Sequence, residues 1–220
     1  MNNSLPSPLP TATVCWILFD YGGVLADEGF HDALAALSKH YELPPEELPQ
    51  LAMDAIYDSG YVTGHAVEAE FWDLLHERFP FIEPQAGIRE EILHRFRLRR
   101  PVLALVDRLR ELGFKTAILS DQADWLDQLD RRDQIYAHFD RIFNSFTLGK
   151  GKRDPTLFDE VTAALTIPPS QAIFIDDNPE NVRRAVSCGL HGVHYQNIAE
   201  LLQSLASILG IPAIALAQES

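Results

Sequence analysis

Cysteine is scarce in this chain, with Cys15 and Cys188 the only two among 220 residues. Two thiols cannot build the disulfide framework that small secreted domains use in place of a large core. Neither cysteine has further thiols or histidines at the spacing of a metal site. We therefore expect both side chains to pack as small apolar groups in a protein from a reducing compartment.

Positive charge is also in short supply. The chain has 18 Lys and Arg residues against 32 Asp and Glu, which gives a formal net charge of −14. Such a surface repels the phosphates of nucleic acids and of anionic lipids, so we expect neither nucleic acid nor a membrane surface as a partner. An anionic small molecule could still bind, but its site would need a cation.

Long hydrophobic runs are absent as well. No segment approaches the roughly 18 consecutive apolar residues that a membrane-spanning helix needs. The segment Met1–Thr13 contains three prolines and no basic residue, which is not the pattern of a secretory signal. We expect residues 1–12 to form a disordered leader before a cytoplasmic domain.

What the sequence does contain is an alternation of strands and amphipathic helices. The run Val14–Phe19 is continuous, β-branched and aromatic, which is typical of a strand buried on both faces of a parallel sheet. Further strands are predicted over Lys115–Ser120, Arg141–Asn144, Ala172–Asp176 and Gly192–Tyr195. Helices are predicted over Pro101–Leu112, Thr156–Leu165, Glu180–Cys188 and Asn197–Leu209. This order predicts an α/β fold with a Rossmann-like parallel sheet covered by helices.

The alternation stops between residues 28 and 96, where no strand is predicted. Four helices are expected there instead, over His31–His40, Pro45–Tyr57, Ala66–Phe79 and Gly87–Phe96. An insertion directly after the first strand would lie above the carboxyl edge of the sheet, where ligands bind in open α/β folds. We therefore predict an α/β core of residues 1–27 and 97–220 and a small helical cap of residues 28–96.

Polar side chains follow four of the predicted strands. They are Asp20, Ser120, Lys152 and the pair Asp176 and Asp177. Because parallel strands present their carboxyl ends at one edge, these groups can converge although they are far apart in sequence. Three neighbouring carboxylates repel one another unless one is protonated or a cation lies among them. Oxygen ligands of this kind suit Mg²⁺, so the sequence predicts a magnesium site that receives a phosphorylated substrate.

The same four segments resemble the four motifs of the haloacid dehalogenase-like superfamily, in the order that the family shows. Residues 17–25 (ILFDYGGVL) resemble the first motif, and residues 118–120 (ILS) resemble the second. The third is similar to residues 149–155 (GKGKRDP), although Arg153 stands where proline usually follows the lysine. The fourth resembles residues 174–181 (FIDDNPEN). The helical insertion is similar to the small helical cap of one branch of that superfamily.

The resemblance implies a role for each matching residue. Asp20 would be the nucleophile and a Mg²⁺ ligand, and the catalytic set would also include Ser120 and Lys152. The metal ligands implied are Asp20, the backbone carbonyl of Gly22 and Asp177. Asp176 would support this metal site from nearby, together with Asn181. The residues implied to bind the substrate are Ser120, Asp121, Lys152, Gly22 and Gly23. The reaction implied is hydrolysis of a phosphate ester through an aspartyl-phosphate intermediate.

One departure from the family pattern concerns Gly22. Phosphatases of the family usually carry a second aspartate there, which protonates the leaving group and then activates water. General acid–base catalysis of that kind is worth roughly 10² to 10⁴ in rate. Without it, the substrate has a good leaving group, or a cap residue supplies the proton, or turnover is slow or lost. A branch of the superfamily that includes sugar-phosphate phosphatases also has glycine at this position, and Tyr61–Phe71 is similar to its cap.

Two other functions stay open at this point. A haloacid dehalogenase uses the same aspartate on carbon without a metal, but those enzymes resemble Ser-Ser-Asn at the fourth motif, where this chain has Asp176 and Asp177. A protein that keeps the fold for binding or regulation, having lost turnover with Gly22, is the third reading. The sequence identifies neither the substrate nor the oligomeric state.

Overall fold

The structure, a computed structural model, describes residues 13–216. Within them lies a sheet of five parallel strands in the spatial order β3-β2-β1-β4-β5. The strands are β1 (Trp16–Phe19), β2 (Lys115–Ser120), β3 (Arg141–Asn144), β4 (Ala172–Asp176) and β5 (His191–His194). The predicted α/β fold with a Rossmann-like sheet is therefore confirmed. The predicted leader over residues 1–12 lies outside the described residues.

The three central strands are the ones that read as continuous apolar runs. Every residue of β4 is buried, as are the last three of β1 and the last five of β2. A strand covered on both faces has no polar face, which explains why these segments show no alternation. The chain goes from β1 toward β2 and β3 on one side and returns to β4 and β5 on the other. The topological switch therefore lies between β1 and β4, where open α/β sheets place their ligands.

The stretch between β1 and β2 is helical, as expected. It holds α1 (Gly29–His40), α2 (Glu47–Asp58), α3 (Glu68–Arg78), α4 (Gln85–Arg95) and α5 (Arg100–Glu111), with a short 3-10 turn at Tyr61–Thr63. We call residues 28–96 the insertion. Within it, α1 packs against both α2 and α4. The boundaries proposed between core and cap stay a prediction.

The remaining helices follow the other strands. They are α6 (Trp125–Asp133), α7 (Ser145–Leu148), α8 (Thr156–Ala164), α9 (Pro179–Ser187), α10 (Ile198–Leu209) and α11 (Ala213–Leu216). The sequence did not predict α6, α7 and α11. α7 and α11 are single turns, too short to show a helical period. α6 is mostly charged and buries only Trp125, Leu126 and Leu129.

Aromatic side chains join the insertion to the sheet side of the molecule. Trp125, at the start of α6, has its ring centroid 6.3 Å from Phe30 and from Phe71 and 5.9 Å from Tyr61. These rings belong to the same apolar cluster as Phe19 of β1. Aromatic pairs at this spacing contribute about 0.5–1.5 kcal/mol beyond the area that they bury. The insertion is thereby held against the carboxyl ends of the strands.

Two expectations about composition can be compared with the structure. Cys15 and Cys188 are free thiols, but both are half-buried rather than fully packed in the core. Cys188 is the residue at which α9 ends, and Cys15 precedes β1. Among residues 13–216, every helix is too short or too polar to span a lipid bilayer.

Close packing of α1 on α4 generates a prediction about Gly29. A Cβ atom on Gly29 would come within 2.6 Å of the Phe96 ring and 2.7 Å of the Ile92 carbonyl oxygen. Gly29→Ala should therefore lower the free energy of unfolding by about 1–3 kcal/mol, because overpacking shifts neighbouring groups. Urea unfolding followed by circular dichroism measures this.

Gly87 provides the matched control within the same helix pair. It is exposed in α4, and a Cβ there would meet nothing within 4 Å. Gly87→Ala should be neutral or should stabilise by about 0.5–1 kcal/mol, because alanine favours the helix. Equal effects of the two substitutions would contradict the close approach at Gly29.

Candidate active site

The structure brings the four predicted segments together at the carboxyl edge of the sheet. Asp20 follows β1, Ser120 ends β2, and Asp176 ends β4. Lys152 lies in the loop between α7 and α8, after β3. Their contacts join residues that are far apart in the chain: Lys152 contacts both Asp20 and Asp176, and Ser120 contacts Asp20. The convergence expected from parallel strands is therefore present.

Lys152 is the only cation in direct contact with Asp20 and Asp176 among the described residues. Its Nζ lies 2.7 Å from Asp20 Oδ2 and 2.6 Å from Asp176 Oδ2, and its side chain is 2% exposed. Burial lowers the pKa of Lys152, but the carboxylates of Asp176 and Asp20 outweigh it, so the pKa stands well above its ordinary value. Lys150, the other lysine of this loop, instead pairs with Glu160 at 2.6 Å. The charged lysine of the site is therefore Lys152.

Asp20 is held by three donors. Its Oδ1 accepts hydrogen bonds from Ser120 Oγ at 2.6 Å and from the Tyr21 backbone N–H at 2.7 Å, while Lys152 contacts Oδ2. Burial raises the pKa of Asp20 well above its usual range, Lys152 opposes this, and the carboxylates of Asp176 and Asp177 add to it. An ionised Asp20 in this environment needs further positive charge nearby.

Three carboxylates form a cluster that could hold a metal ion. Asp20, Asp176 and Asp177 each offer an oxygen, and these oxygens all lie within 4.8 Å of one another. Hard oxygen donors with one ammonium group between them fit the Mg²⁺ that the sequence predicts. Burial, reinforced by Asp176, raises the pKa of Asp177, which is the more exposed member of the pair. The donor set therefore suits a divalent cation.

The two acidic residues at the end of β4 have different environments. Asp176 is fully buried and accepts hydrogen bonds from the Asn178 backbone N–H at 2.8 Å and from Asn181 Nδ2 at 3.2 Å. Asp177 lines the cavity described below. Asn178 caps α9 with its side chain, so the turn both begins a helix and directs Asp177 outward. The predicted support from Asn181 is thus directed at Asp176.

Gly23 lies against Asp177 in a backbone conformation that favours glycine. Its φ is +74°, and a Cβ atom there would come within 2.0 Å of Asp177 Oδ2. Its carbonyl oxygen accepts a hydrogen bond from Arg99, which also pairs with Asp27 at 3.2 Å. Among the described residues, Gly22 lines the cavity and Gly23 does not. The substrate-binding role predicted for Gly23 stays a prediction.

Asp121 links the lysine loop to the insertion. Its carboxylate accepts the Lys152 backbone N–H at 2.9 Å and the Tyr57 hydroxyl at 2.5 Å. A carboxylate can accept further hydrogen bonds beside these two, so the substrate-binding role predicted for Asp121 stays a prediction. Asp121 lines the cavity, but its contacts are those of a residue that positions Lys152.

A cavity of about 560 Å³ opens over these residues. The insertion contributes apolar side chains, and the core contributes Trp125 and several charged groups. Those that the sequence had not singled out are Glu28, Phe30, His31, Met53, Ile56, Tyr57, Val62, Gln122, Ala123 and Arg184. Helical periodicity shows which face of a helix is apolar but not which end of it overlies the site, so no signal marked them. Trp125 both packs in the core and lines the cavity.

Glu28 is the acidic residue that the insertion adds to this cavity. Burial and the nearby Asp177 carboxylate raise the pKa of Glu28 to about 7, with Lys152 and His31 opposing. Its side chain comes from the last residue before α1. The cavity therefore holds a carboxylate from the insertion that no motif indicated.

Comparison with known proteins gives one family match over most of the chain. Residues 16–189 match the family described as haloacid dehalogenase-like hydrolase. Bifunctional epoxide hydrolase 2 of Mus musculus is 28% identical over 120 residues, which are 51% of this chain and 21% of that protein. Flavin mononucleotide hydrolase 1 of Arabidopsis thaliana is 29% identical over 104 residues, 47% of this chain and 42% of that protein. The chain thus spans less than half the length of these relatives.

Two solved structures share the fold. A haloacid dehalogenase-family enzyme of Bacteroides thetaiotaomicron, in complex with magnesium and inorganic phosphate, has a TM-score of 0.66 at 20% identity, covering 86% of this chain and 98% of that one. The L-2-haloacid dehalogenase of Xanthobacter autotrophicus, with chloropropionic acid covalently bound, has a TM-score of 0.60 at 18% identity, covering 94% and 90%. At sequence identities this low, the similarity shows a shared fold only.

The buried position of Lys152 generates a prediction about stability. Lys152→Met should lower the free energy of unfolding by about 3–5 kcal/mol in metal-free buffer near neutral pH, because Asp20 and Asp176 lose their shared cation. Urea unfolding measures it. Lys150→Met, which removes a surface pair from the same loop, should leave the unfolding midpoint close to that of the native chain. A similar decrease in the free energy of unfolding in both variants would show that the buried pairing does not stabilise this loop.

Proposed function

The chain belongs to the haloacid dehalogenase-like hydrolase family, and from this we propose that it is a Mg²⁺-dependent phosphatase acting on a small phosphorylated metabolite. The observation that carries the proposal is a cluster of three carboxylates and one ammonium group, in which Lys152 bridges Asp20 and the buried Asp176. Asp20, Lys152 and Asp177 line one cavity. A sugar phosphate is the first substrate class to test.

Charge balance favours a phosphorylated substrate that binds with a cation. Asp20, Asp176 and Asp177 outnumber Lys152, so an anionic group would be repelled from the site without a further positive charge. Asp20, Asp177 and the Gly22 carbonyl would hold Mg²⁺, with Asp176 in support. When bound, the ion would neutralise phosphate charge as it develops in the transition state.

The chain's own residues supply the remaining steps. Asp20 would attack phosphorus in line, which forms an aspartyl-phosphate and releases the alcohol, and water would then hydrolyse that intermediate. Lys152 and Ser120 each contact one oxygen of Asp20, so both lie beside the group that would carry the phosphoryl oxygens. Ser120 can donate its hydroxyl proton to such an oxygen, and Lys152 offsets its charge.

The cavity above Asp20 is suited to a small organic ligand. Its volume of about 560 Å³ is within the range of small-molecule sites, roughly 300–1,000 Å³. Phe30, Met53 and Ile56 form an apolar part, whereas Arg153 and Arg184 offer positive charge. Arg153, which departs from the family pattern, lies with its guanidinium 3.6 Å from the centre of the Tyr57 ring. A phosphorylated metabolite with both apolar and polar parts matches this lining.

The relatives bear on the choice between phosphatase and dehalogenase. One is named for hydrolysis of flavin mononucleotide, a phosphate monoester, and a structural neighbour holds magnesium with inorganic phosphate. Another neighbour is a dehalogenase. The paired carboxylates Asp176 and Asp177 favour the metal-dependent reaction, because a reaction at carbon needs no cation among them.

Hydrolysis of p-nitrophenyl phosphate tests the proposal. We expect turnover with Mg²⁺, loss of turnover in EDTA, and recovery when Mg²⁺ is added back. Asp20→Asn should lower kcat by more than about 1,000-fold, because removal of a nucleophile leaves only residual binding effects. The control is Asp107→Asn, which alters the pair between Asp107 on α5 and His138 and should keep native turnover.

Two outcomes would contradict the phosphatase proposal. The first is full activity of Asp20→Asn. The second is release of chloride from 2-chloropropionate in EDTA without phosphatase activity in Mg²⁺, which would support the dehalogenase reaction instead.

A further inference from the structure

The space beside Gly22 is filled by the carboxylate of Glu28. A Cβ atom built on Gly22 would come 2.3 Å from Glu28 Oε2 and 3.2 Å from the Glu28 carboxyl carbon. The backbone of Gly22 does not have a positive φ, so its conformation admits a side chain. A side chain at Gly22 would therefore have to displace the Glu28 carboxylate, which already occupies the space beside position 22.

The backbone around Glu28 is fixed by hydrogen bonds on both sides. The loop after β1 is closed by the Ala26 N–H, which donates to the Tyr21 carbonyl at 2.9 Å. The Asp27 N–H donates to the Arg97 carbonyl at 3.0 Å, and the Glu28 carbonyl accepts the Asp32 N–H at 3.0 Å. Glu28 therefore returns beside Gly22 because the six-residue loop turns back on itself.

The Glu28 carboxylate faces the cavity without a fixed partner. Within residues 13–216, no hydrogen bond or ion pair joins its oxygen atoms to another group, whereas Asp121 and Asp176 are both occupied by donors. It lines the same cavity as Asp20 and Lys152. It is also outside the group of carboxylates, Asp20, Asp176 and Asp177, whose oxygens lie within 4.8 Å of one another. A carboxyl group without a fixed partner that lies against Gly22 and lines the same cavity as Asp20 can meet the leaving group or the water of a substrate bound there.

We propose that Glu28 is the general acid and base of the reaction, in place of an aspartate at position 22. The proposal rests on the phosphatase function proposed above. In the first step, an Asp20 oxygen forms a bond to phosphorus, the bond from phosphorus to the leaving oxygen breaks, and Glu28 gives its proton to that oxygen. In the second, Glu28 takes a proton from water as the water oxygen bonds to phosphorus, and the bond between phosphorus and Asp20 breaks. Phosphate leaves, and Glu28 is protonated again.

A pair of aryl phosphates of similar size tests this role. p-Nitrophenol leaves readily without a proton, whereas phenol, with a pKa of about 10 like that of tyrosine, benefits from one. Glu28→Gln should lower kcat on phenyl phosphate by about 100-fold or more. On p-nitrophenyl phosphate, the same variant should release about one p-nitrophenol per enzyme in a rapid burst and then turn over slowly, because water attack has lost its base.

Glu91→Gln is the control, because it removes a carboxylate that pairs with Arg95 on the surface of α4. It should behave like the native chain on both phosphates. Thermal unfolding of Glu28→Gln should match the native chain, since glutamine has the same shape. The proposal would be overturned if Glu28→Gln had native rates on both substrates. It would also be overturned if kcat fell equally on both substrates without a burst of p-nitrophenol. A native chain inactive on both phosphates in Mg²⁺ would overturn the phosphatase function and this role with it.

A paired substitution tests the spatial equivalence of the two positions. Glu28→Ala removes the acid and base and leaves the space beside Gly22 open. Gly22→Asp combined with Glu28→Ala should raise kcat on phenyl phosphate at least about 10-fold above Glu28→Ala, because the new carboxyl group occupies that space. A double variant no faster than Glu28→Ala would contradict the equivalence on which the proposal rests.

Discussion

The buried ammonium group of Lys152 is the interaction on which the site depends. It bridges Asp20 and Asp176, which end neighbouring strands, and without it two largely buried carboxylates would face each other uncompensated. It does not balance the charge of the site, because Asp177 belongs to the same cluster. A site so arranged receives an anion only together with a further cation, which is the physical basis for expecting magnesium and a phosphate ester together.

The sheet makes this interaction possible. β1 pairs with both β2 and β4 in parallel register, so Asp20, Ser120 and Asp176 reach the same edge at nearly the same height. Lys152 reaches them from the loop after β3, and Asp121 holds that loop by accepting the Lys152 backbone N–H. The reversal of strand order between β1 and β4 leaves room there for a ligand.

The insertion completes the site in two ways. Its apolar side chains form one wall of the cavity, and the Trp125 cluster holds them over the strand ends. Glu28, at its start, occupies the place beside Gly22 and lines the same cavity as Asp20. The role that we propose for Glu28 would make the absence of an aspartate at position 22 compatible with turnover.

The sequence by itself determined the fold class, the succession of strands along the chain and the convergence of Asp20, Ser120, Lys152 and Asp176. These follow from local apolar periods and from the rule that parallel strands end at one edge, so no distant contact has to be known. It did not determine α6 or the single-turn helices, whose apolar content is too small to show a period, or the identity of the cavity wall. Only the tertiary structure decided that Glu28 meets Gly22, because that contact depends on how the loop after β1 closes and where α1 then begins.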